Sequence, residues 1–519
     1  MSMKKLITII LIASSILVVS CKDWLSVSSS TQIKGDDLLS TEEGFEDALT
    51  GIYMNLASNN LYGKNLTWYF LEFLSEPYEV RSVNATDFTY VVVDEGFVKT
   101  ISQSYVNSIW NSMYNTIANI NKLIKETEES ENILGERAKS IFLGELYSLR
   151  AYLHLDLMRL YGYGNYANRD DFNNDVTIPY VTEYSKELTE QKSYNETLNL
   201  IIMDFEKGID YLKNDPILVG DENEVSTEFN SNNYWSNRRS HLNYYAAKAL
   251  LARAYMWSNT PENIQKAAII AEEVIAAEGK AYKWTDLNSN ETYVNRILFT
   301  EQLFSVNVFD LYSSISNYIT DLEYNSSAPT EIFDAIDIKN TIFEACKYDD
   351  DYNLVFGGIG YDDFRFQEHV RPTTYSYAEH YYSYKLYQTS DEYNPYNNYI
   401  PLIKIDEMYY ILAEKALLDA NEDKALEVIN IVRAKHGATQ EITQDVIQNV
   451  LWSTVKTEFL KELMRSFISE GQLFYYLKRW GVSSYEDEGL YLNNDRSFSD
   501  KTYLLPYPID EITNGNRIQ

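Results

Sequence analysis

The chain reads as a mainly α protein built of tetratricopeptide-like helical repeats, with a long irregular loop and short-strand insertion. Three observations predict this. Apolar residues recur at helical spacing along most of the sequence. Two pairs of such segments carry small residues on their inner faces and are joined by short polar turns. Between about residue 280 and residue 400 the periodicity breaks, and Asn, Ser, Asp and Tyr become dense.

The first segment is a leader. Lys4 and Lys5 form a positive head, Leu6 to Val19 is almost wholly apolar, and small Ser20 precedes Cys21. Charge, length and cleavage site are those of a secretory signal over residues 1–20. Residues 21–40 are then expected to be a lipidated tether, with Cys21 as the lipid attachment site and a polar run from Ser26 to Lys34. The apolar stretch is short for a membrane span. Stable anchoring would come instead from two or more acyl chains, each buried methylene adding ~0.8 kcal/mol.

A helical region is expected over 41–279. Helices are read at Thr41 to Leu56, Val106 to Glu126, Glu136 to Tyr161 and Tyr194 to Leu212. Next, Ala247, Leu250, Leu251, Ala254 and Tyr255 form one apolar face. Pro261 restarts a helix at a first-turn position, Ala267, Ala268, Ala271, Val274 and Ile275 line it, and Gly279 stops it. After the insertion, a second pair occupies the region 401–519. Ile405, Met408, Tyr409, Leu412, Ala413 and Ala416 line one helix; Ala425, Val428, Ile429 and Val432 line the next, closed by Gly437. Within 280–400, runs such as Arg296 to Phe299 and Leu303 to Val306 read as strand or irregular structure.

Composition limits the function. The 519 residues carry 77 acidic and 44 basic side chains, a formal net charge of −33, and loss of Lys4 and Lys5 with the leader takes it to −35. Such a surface repels phosphate backbones, so nucleic acid is excluded as a partner. Only two cysteines are present, too few for a disulfide framework; Cys346 is expected to be a small buried apolar residue. The 45 Tyr against 21 Phe favour surfaces that combine apolar rings with wet hydroxyls.

No catalytic constellation holds, so the chain is expected to catalyse nothing and to use no cofactor or metal. The five histidines never fall at metalloprotease spacing, and His154 reads as a packed core residue. Asp349-Asp350-Asp351-Tyr352-Asn353 fails as a calcium loop, because Leu354 stands at the glycine position and Gly360 at that of the bidentate glutamate. It is read as a solvated acidic turn. Gly357-Gly358-Ile359-Gly360 lacks the strand-then-helix context of phosphate loops. Binding remains. Sugar rings stack on aromatics, and their hydroxyls need Asn, Asp, Arg or Gln. Both kinds coincide around Tyr234 and Trp235 with Arg238 and Arg239, around Tyr312 and Tyr318, and around Tyr361, Phe364 and Arg365. These rings are expected to form a shallow ligand platform.

Several segments in order resemble the SusD/RagB family of outer-membrane nutrient-binding lipoproteins. Val18-Val19-Ser20-Cys21 is similar to a lipobox, and Lys22-Asp23 resembles a surface-export signal. Gly44 to Ala48 with Gly51-Ile52-Tyr53 follows, then Trp110, Tyr114, Ile117 and Asn121, then Leu149 to Gly162, then Ile178 to Glu183. The two helix pairs, Glu470-Gly471, Leu477 to Gly481 and Leu505 to Pro508 complete the set. The chain departs from the family at Leu463 and Ser466, where Arg and Glu are common, which implies an ion pair lost beside Glu462.

The resemblance implies four tetratricopeptide-like units and a variable loop region. It further implies a lipid-anchored protein on the outer face of the cell outer membrane, held there through its acyl chains. Its partners would be a SusC-like TonB-dependent transporter and an oligosaccharide or other small nutrient that it delivers. The alternatives are a peptide-binding member of the same family and a surface glycan-processing enzyme on a helical scaffold.

Overall fold

The structure is a computed structural model, and it describes residues 38–75, 78, 97, 100–164, 175–219, 233–289, 295–324, 333–349, 351, 353–375, 377–388, 394–448, 453–493 and 497–518. The expected signal peptide and Cys21 lie outside the described residues.

The first half is helical. It contains α1 (Glu42–Leu56), α2 (Phe70–Ser75), α3 (Thr100–Glu128), α4 (Glu136–Tyr161), a two-stranded ladder β1 (Val176–Pro179) and β2 (Gln191–Ser193), α5 (Tyr194–Tyr211), α6 (Tyr244–Ser258) and α7 (Pro261–Ile275). The helix starts are set by side-chain caps. Thr41 accepts from Gly44 N, Asn243 from Tyr245 N and Ala246 N, and Thr260 from Asn263 N ahead of Pro261. Ser193 and Glu196 form a reciprocal capping box. Gly279, at φ +88°, lies just beyond α7. The one clear boundary error from sequence is α3, which begins six residues before Val106.

Each long helix packs on its neighbour in the chain: α3 on α4, α4 on α5, α5 on α6, α6 on α7. The central α4 is buried almost all round. It approaches α5 at two glycines. A Cβ on Gly144 would lie 2.5 Å from Leu212 Cγ, and one on Gly208 would lie 2.2 Å from Ser148 Oγ. No larger residue permits that crossing.

The insertion follows as β3 (Gln302–Asn307), α8 (Leu311–Tyr324), β4 (Phe333–Asp334), β5 (Cys346–Tyr348), β6 (Leu354–Phe356), α9 (Phe364–Glu368), β7 (Val370–Tyr375), β8 (Ala378–Ser383) and β9 (Tyr399–Lys404). It is closed at its neck, because β3 pairs antiparallel with β9. The chain then enters α10 (Ile405–Leu418), which packs on α7, so the helical stack resumes as though uninterrupted. Arg253 of α6 fixes this return with a bidentate ion pair to Glu407 of α10, 2.7 and 2.6 Å, both side chains buried. α11 (Glu422–Lys435), α12 (Gln444–Gln448), α13 (Val455–Phe467) and α14 (Gln472–Trp480) complete the body. Gly437, at φ +90°, ends the α11 segment.

Three expectations are corrected. Residues 311–324 form a helix, with Leu311 and Ile315 buried on its inner face; the density of Ser, Asn and Tyr hid an i, i+4, i+7 pattern. Cys346 is half-buried on β5, not fully buried, and burial raises its thiol pKa. Finally, no ion pair is lost beside Glu462. Its carboxylate receives Arg365 at 2.7 Å, Arg465 at 3.2 Å and the Tyr410 hydroxyl at 3.0 Å. Arg465, one turn further along α13, faces the carboxylate that an arginine at 463 cannot reach from its own buried apolar position.

Two readings stand as expected. Asp349 accepts from Asp351 N and Asn353 N in the exposed β5–β6 turn. His154 is fully buried, stacked on Tyr180 at 4.0 Å.

Candidate functional site

The segments that carried the family resemblance prove to be the braces of the scaffold. His154 Nδ1 bonds the Arg150 carbonyl at 2.9 Å, and its Nε2 accepts from Val181 N at 3.0 Å. Burial lowers its pKa to about 3, consistent with a neutral ring in that role. Tyr114 donates to the Pro179 carbonyl and Asn121 to that of Val181, both at 2.9 Å. The strand-like connection 178–183 is thereby fixed to α3 and α4. Near the C-terminus, Glu72 of α2 accepts from Ser469 N and Gly471 N. Gly471, at φ +67°, is also where a Cβ would strike the Leu66 carbonyl at 2.5 Å. The Glu470-Gly471 turn therefore grips the segment that leads into α2.

That segment presents a ring cluster. The tight turn 57–69 requires Gly63, since a Cβ there would sit 2.1 Å from the Ala57 carbonyl. Trp68 Nε1 donates to Gly63 O at 2.9 Å, which fixes the indole. Around it stand Tyr69 at 5.8 Å between centroids and Tyr318 of α8 at 5.6 Å, both edge-on. Tyr105 of α3 lies 6.0 Å from Tyr69, and its ring stacks on Phe70 at 5.3 Å. Lys64 Nζ lies 3.6 Å from the Tyr69 centroid, a cation–π contact worth about 1 kcal/mol between two half-buried side chains. Trp68 is 9% exposed, while Tyr69, Tyr105 and Tyr318 are half-buried. Phe309, just ahead of α8, is 94% exposed. Three separate elements thus bring wet-edged rings and an ammonium to one surface, a combination suited to polyhydroxylated rings with apolar faces.

The residues singled out from sequence fall in several places. Tyr318 joins the cluster. Tyr312 is half-buried on the same helix, but six residues separate the two, which turns them ~240° apart and keeps them off one face. Trp235 is fully buried among Phe142, Tyr234 and Arg238. Tyr234 is half-buried and donates to the Glu46 carbonyl at 3.2 Å. Arg238 pairs with Glu145 and Asp215 in the core. Arg365 is 1% exposed and committed to Asp363 and Glu462, and Phe364 beside it is buried. Only Tyr361 of that group reaches solvent, packed on Phe356 at 5.6 Å. The platform expected at Trp235, Phe364 and Arg365 is therefore corrected: their side chains serve the core. Trp68, Tyr69, Lys64 and Tyr105 of this cluster were missed. A Lys-x-x-x-Trp-Tyr run after a turn glycine was the available signal.

Two other surface features are less suited. The Tyr384 ring lies 4.9 Å from the guanidinium groups of both Arg296 and Arg371 and stacks on Tyr387 at 4.3 Å. Glu368 already pairs with both arginines. A cleft of about 950 Å³ opens at the end of the α10–α11 pair, lined by Leu417, Leu418, Asn421, Glu422, Lys456 and Trp480. There the Trp480 indole donates to Glu414, which Arg479 holds at 2.6 Å. Among the described residues, one group of metal-ligand side chains is found, Glu301, Asp406 and His436, and it lies in the core. No helix of the described residues is long and apolar enough to cross a membrane.

Comparison with known proteins agrees with this architecture. Residues 23–256 match a family model described as starch-binding and associating with the outer membrane, and residues 340–518 match the SusD family model. No curated protein sequence matches the chain significantly. Solved structures resemble it closely in fold. A SusD superfamily protein from Bacteroides thetaiotaomicron is 20% identical, with 92% of this chain and 99% of that one covered at a TM-score of 0.61. A putative sugar binding protein from Bacteroides vulgatus is 18% identical, covering 90% and 95% at 0.58. NanU of Bacteroides fragilis is 17% identical, covering 87% and 92% at 0.56. At these identities the likeness speaks for the fold, while the two family models span most of the sequence. The chain belongs to the SusD family, whose members are carbohydrate- or nutrient-binding proteins associated with the outer membrane and not enzymes.

Proposed function

We propose that this protein is a lipid-anchored, surface-facing capture protein that binds an oligosaccharide on the Trp68–Tyr69–Tyr105–Tyr318 surface and hands it to a SusC-like TonB-dependent transporter. The observation that carries the reading is the gathering of these rings, with Lys64, from a turn, α3 and α8. The starch-binding description of the family model supports a glycan over a peptide. Weak individual contacts suffice in this arrangement, because a transporter alongside sees captured ligand at high effective concentration. Cys21 supplies the acyl anchor, and the polar run after it supplies reach.

The test is calorimetry and glycan-array binding with the protein freed of its lipid. Tyr318→Ala and Tyr69→Ala are each expected to weaken binding roughly tenfold, about 1.4 kcal/mol, while leaving the circular dichroism spectrum intact. Equal affinity in wild type and both variants would move the site elsewhere. Product formation from a bound glycan would overturn the non-catalytic role.

A further inference from the structure

Glu301, Asp406 and His436 are brought together by elements far apart in sequence. Glu301 ends the helical turn Phe299–Glu301 before β3, Asp406 is the second residue of α10, and His436 caps α11. None is more than 1% exposed. His436 Nε2 lies 3.1 Å from Glu301 Oε2 and 3.8 Å from Asp406 Oδ1, and the three atoms all fall within 4.8 Å of one another.

The outer oxygens of both carboxylates are already held. Thr285 N donates to Glu301 Oε1 at 2.9 Å, and Ser466 Oγ donates to Asp406 Oδ2 at 2.6 Å. These bonds orient each group so that its second oxygen meets the imidazole nitrogen, the role that outer contacts play around metal ligands. Asp406 Oδ1 has no hydrogen-bond donor among the described residues. A simple His–Glu pair does not account for it. Nε2 carries at most one hydrogen, and the nearer Glu301 takes it. A buried carboxylate oxygen left this way is costly, and the ammonium of Lys404 is directed to other oxygens, its Nζ lying 3.6 Å from the outer Asp406 Oδ2 and 2.8 Å from Glu470 Oε1.

We propose that Glu301 Oε2, Asp406 Oδ1 and His436 Nε2 form a buried site for one divalent cation. Donors about 2.0–2.2 Å from an ion stand roughly 3 Å or a little more apart, so small side-chain rotations close the present arrangement around it. One imidazole nitrogen with two carboxylate oxygens suits Zn²⁺ or Mn²⁺. Ca²⁺, which takes about 6–8 oxygens, is poorly served by three donors. The ion neutralises both carboxylates. Its place gives it a structural role, since it ties the neck of the insertion, at the start of β3, to the α10–α11 pair. Because the ligands are buried, the ion enters during folding rather than by surface exchange.

The experiment unfolds the purified full-length protein in denaturant with chelator. It is then refolded with Zn²⁺ or Mn²⁺ alone, desalted, and its metal measured by mass spectrometry alongside the thermal midpoint. Wild type is expected to retain about one equivalent of one of the two ions and to melt higher with it than without. Glu301→Gln and His436→Gln are each expected to retain roughly tenfold less or worse. Wild-type protein that refolds and carries only trace metal with either ion overturns the proposal. Folded variants that keep the wild-type equivalent also overturn it. If the variants do not fold, the wild-type measurement decides alone.

Discussion

Arg238 lies beside two aromatic residues and reads from sequence as a ligand contact, yet its guanidinium is the hub of a buried charge network. It makes a bidentate pair with Asp215, both contacts 2.9 Å, and reaches Glu145 at 2.5 Å. Glu145 also takes the Tyr53 hydroxyl and His241 Nδ1. Burial alone would raise the Glu145 pKa, but Arg238 first, then His241 and Tyr53, outweigh it and hold the carboxyl down from 4.5 to about 2. That difference corresponds to about 3 kcal/mol at ~1.36 kcal/mol per pH unit. Removing one partner of a buried ion pair costs about 3–5 kcal/mol, so the two routes agree. Arg238→Met is therefore expected to lose about 3–5 kcal/mol at neutral pH. In wild type, the Glu145 contribution is fully present above its unfolded value of 4.5 and is lost as pH falls through about 2. Without the arginine, burial lifts the folded value above 4.5, so the variant is stabilised by protonation as pH falls. The gap between the two proteins should narrow from pH 7 to pH 4. Urea unfolding followed by tryptophan fluorescence reads it directly, since the Trp235 ring lies 5.7 Å from the guanidinium. A loss below about 1 kcal/mol, or a gap that widens on acidification, would refute the network as the role of Arg238.

Three further outcomes follow from the same contacts. His154, held neutral with its pKa lowered to about 3, makes stability fall as pH drops from its unfolded value of 6.5 towards 3, by up to about 4–5 kcal/mol; His154→Gln should flatten that slope in acid unfolding curves, and an unchanged slope would place the protonation elsewhere. Glu72→Ala strips the acceptors from Ser469 N and Gly471 N and should cost about 1–3 kcal/mol for each orphaned donor, with ligand binding weakened alongside; intact binding in the folded variant would separate that brace from the ring cluster. Cys21→Ala should abolish incorporation of labelled palmitate and release the protein from the membrane fraction, and retention there would end the lipid-anchor account.

The helical body was legible because its signals are local. A stripe of apolar residues at helical spacing, a Ser, Thr or Asn cap and a terminal Gly specify each helix from within about a dozen residues, as at Asn243–Gly279. Leu311–Tyr324 was missed because Ile315 and Tyr318 are diluted by Ser, Asn and Thr. The core roles of Trp235, Phe364 and Arg365 were illegible for a different reason. Aromatic and arginine side chains look alike in sequence whether they face a ligand or a buried carboxylate, and their partners Phe142 and Glu462 lie about a hundred residues away.

The sequence by itself determined the class of fold, the long helices with clear apolar stripes and the two places where repeats pair, since periodicity and capping act over one or two turns of chain. It also carried the apolar run Leu6 to Val19 and the Ser20-Cys21 pair on which the proposed anchor rests, since such signals are read along a linear stretch. Tertiary structure alone decided which rings share a surface, which charges neutralise one another and where Glu301, Asp406 and His436 meet. These depend on the β3–β9 closure and on α7 packing against α10, contacts between segments whose separation along the chain carries no trace of their distance in space.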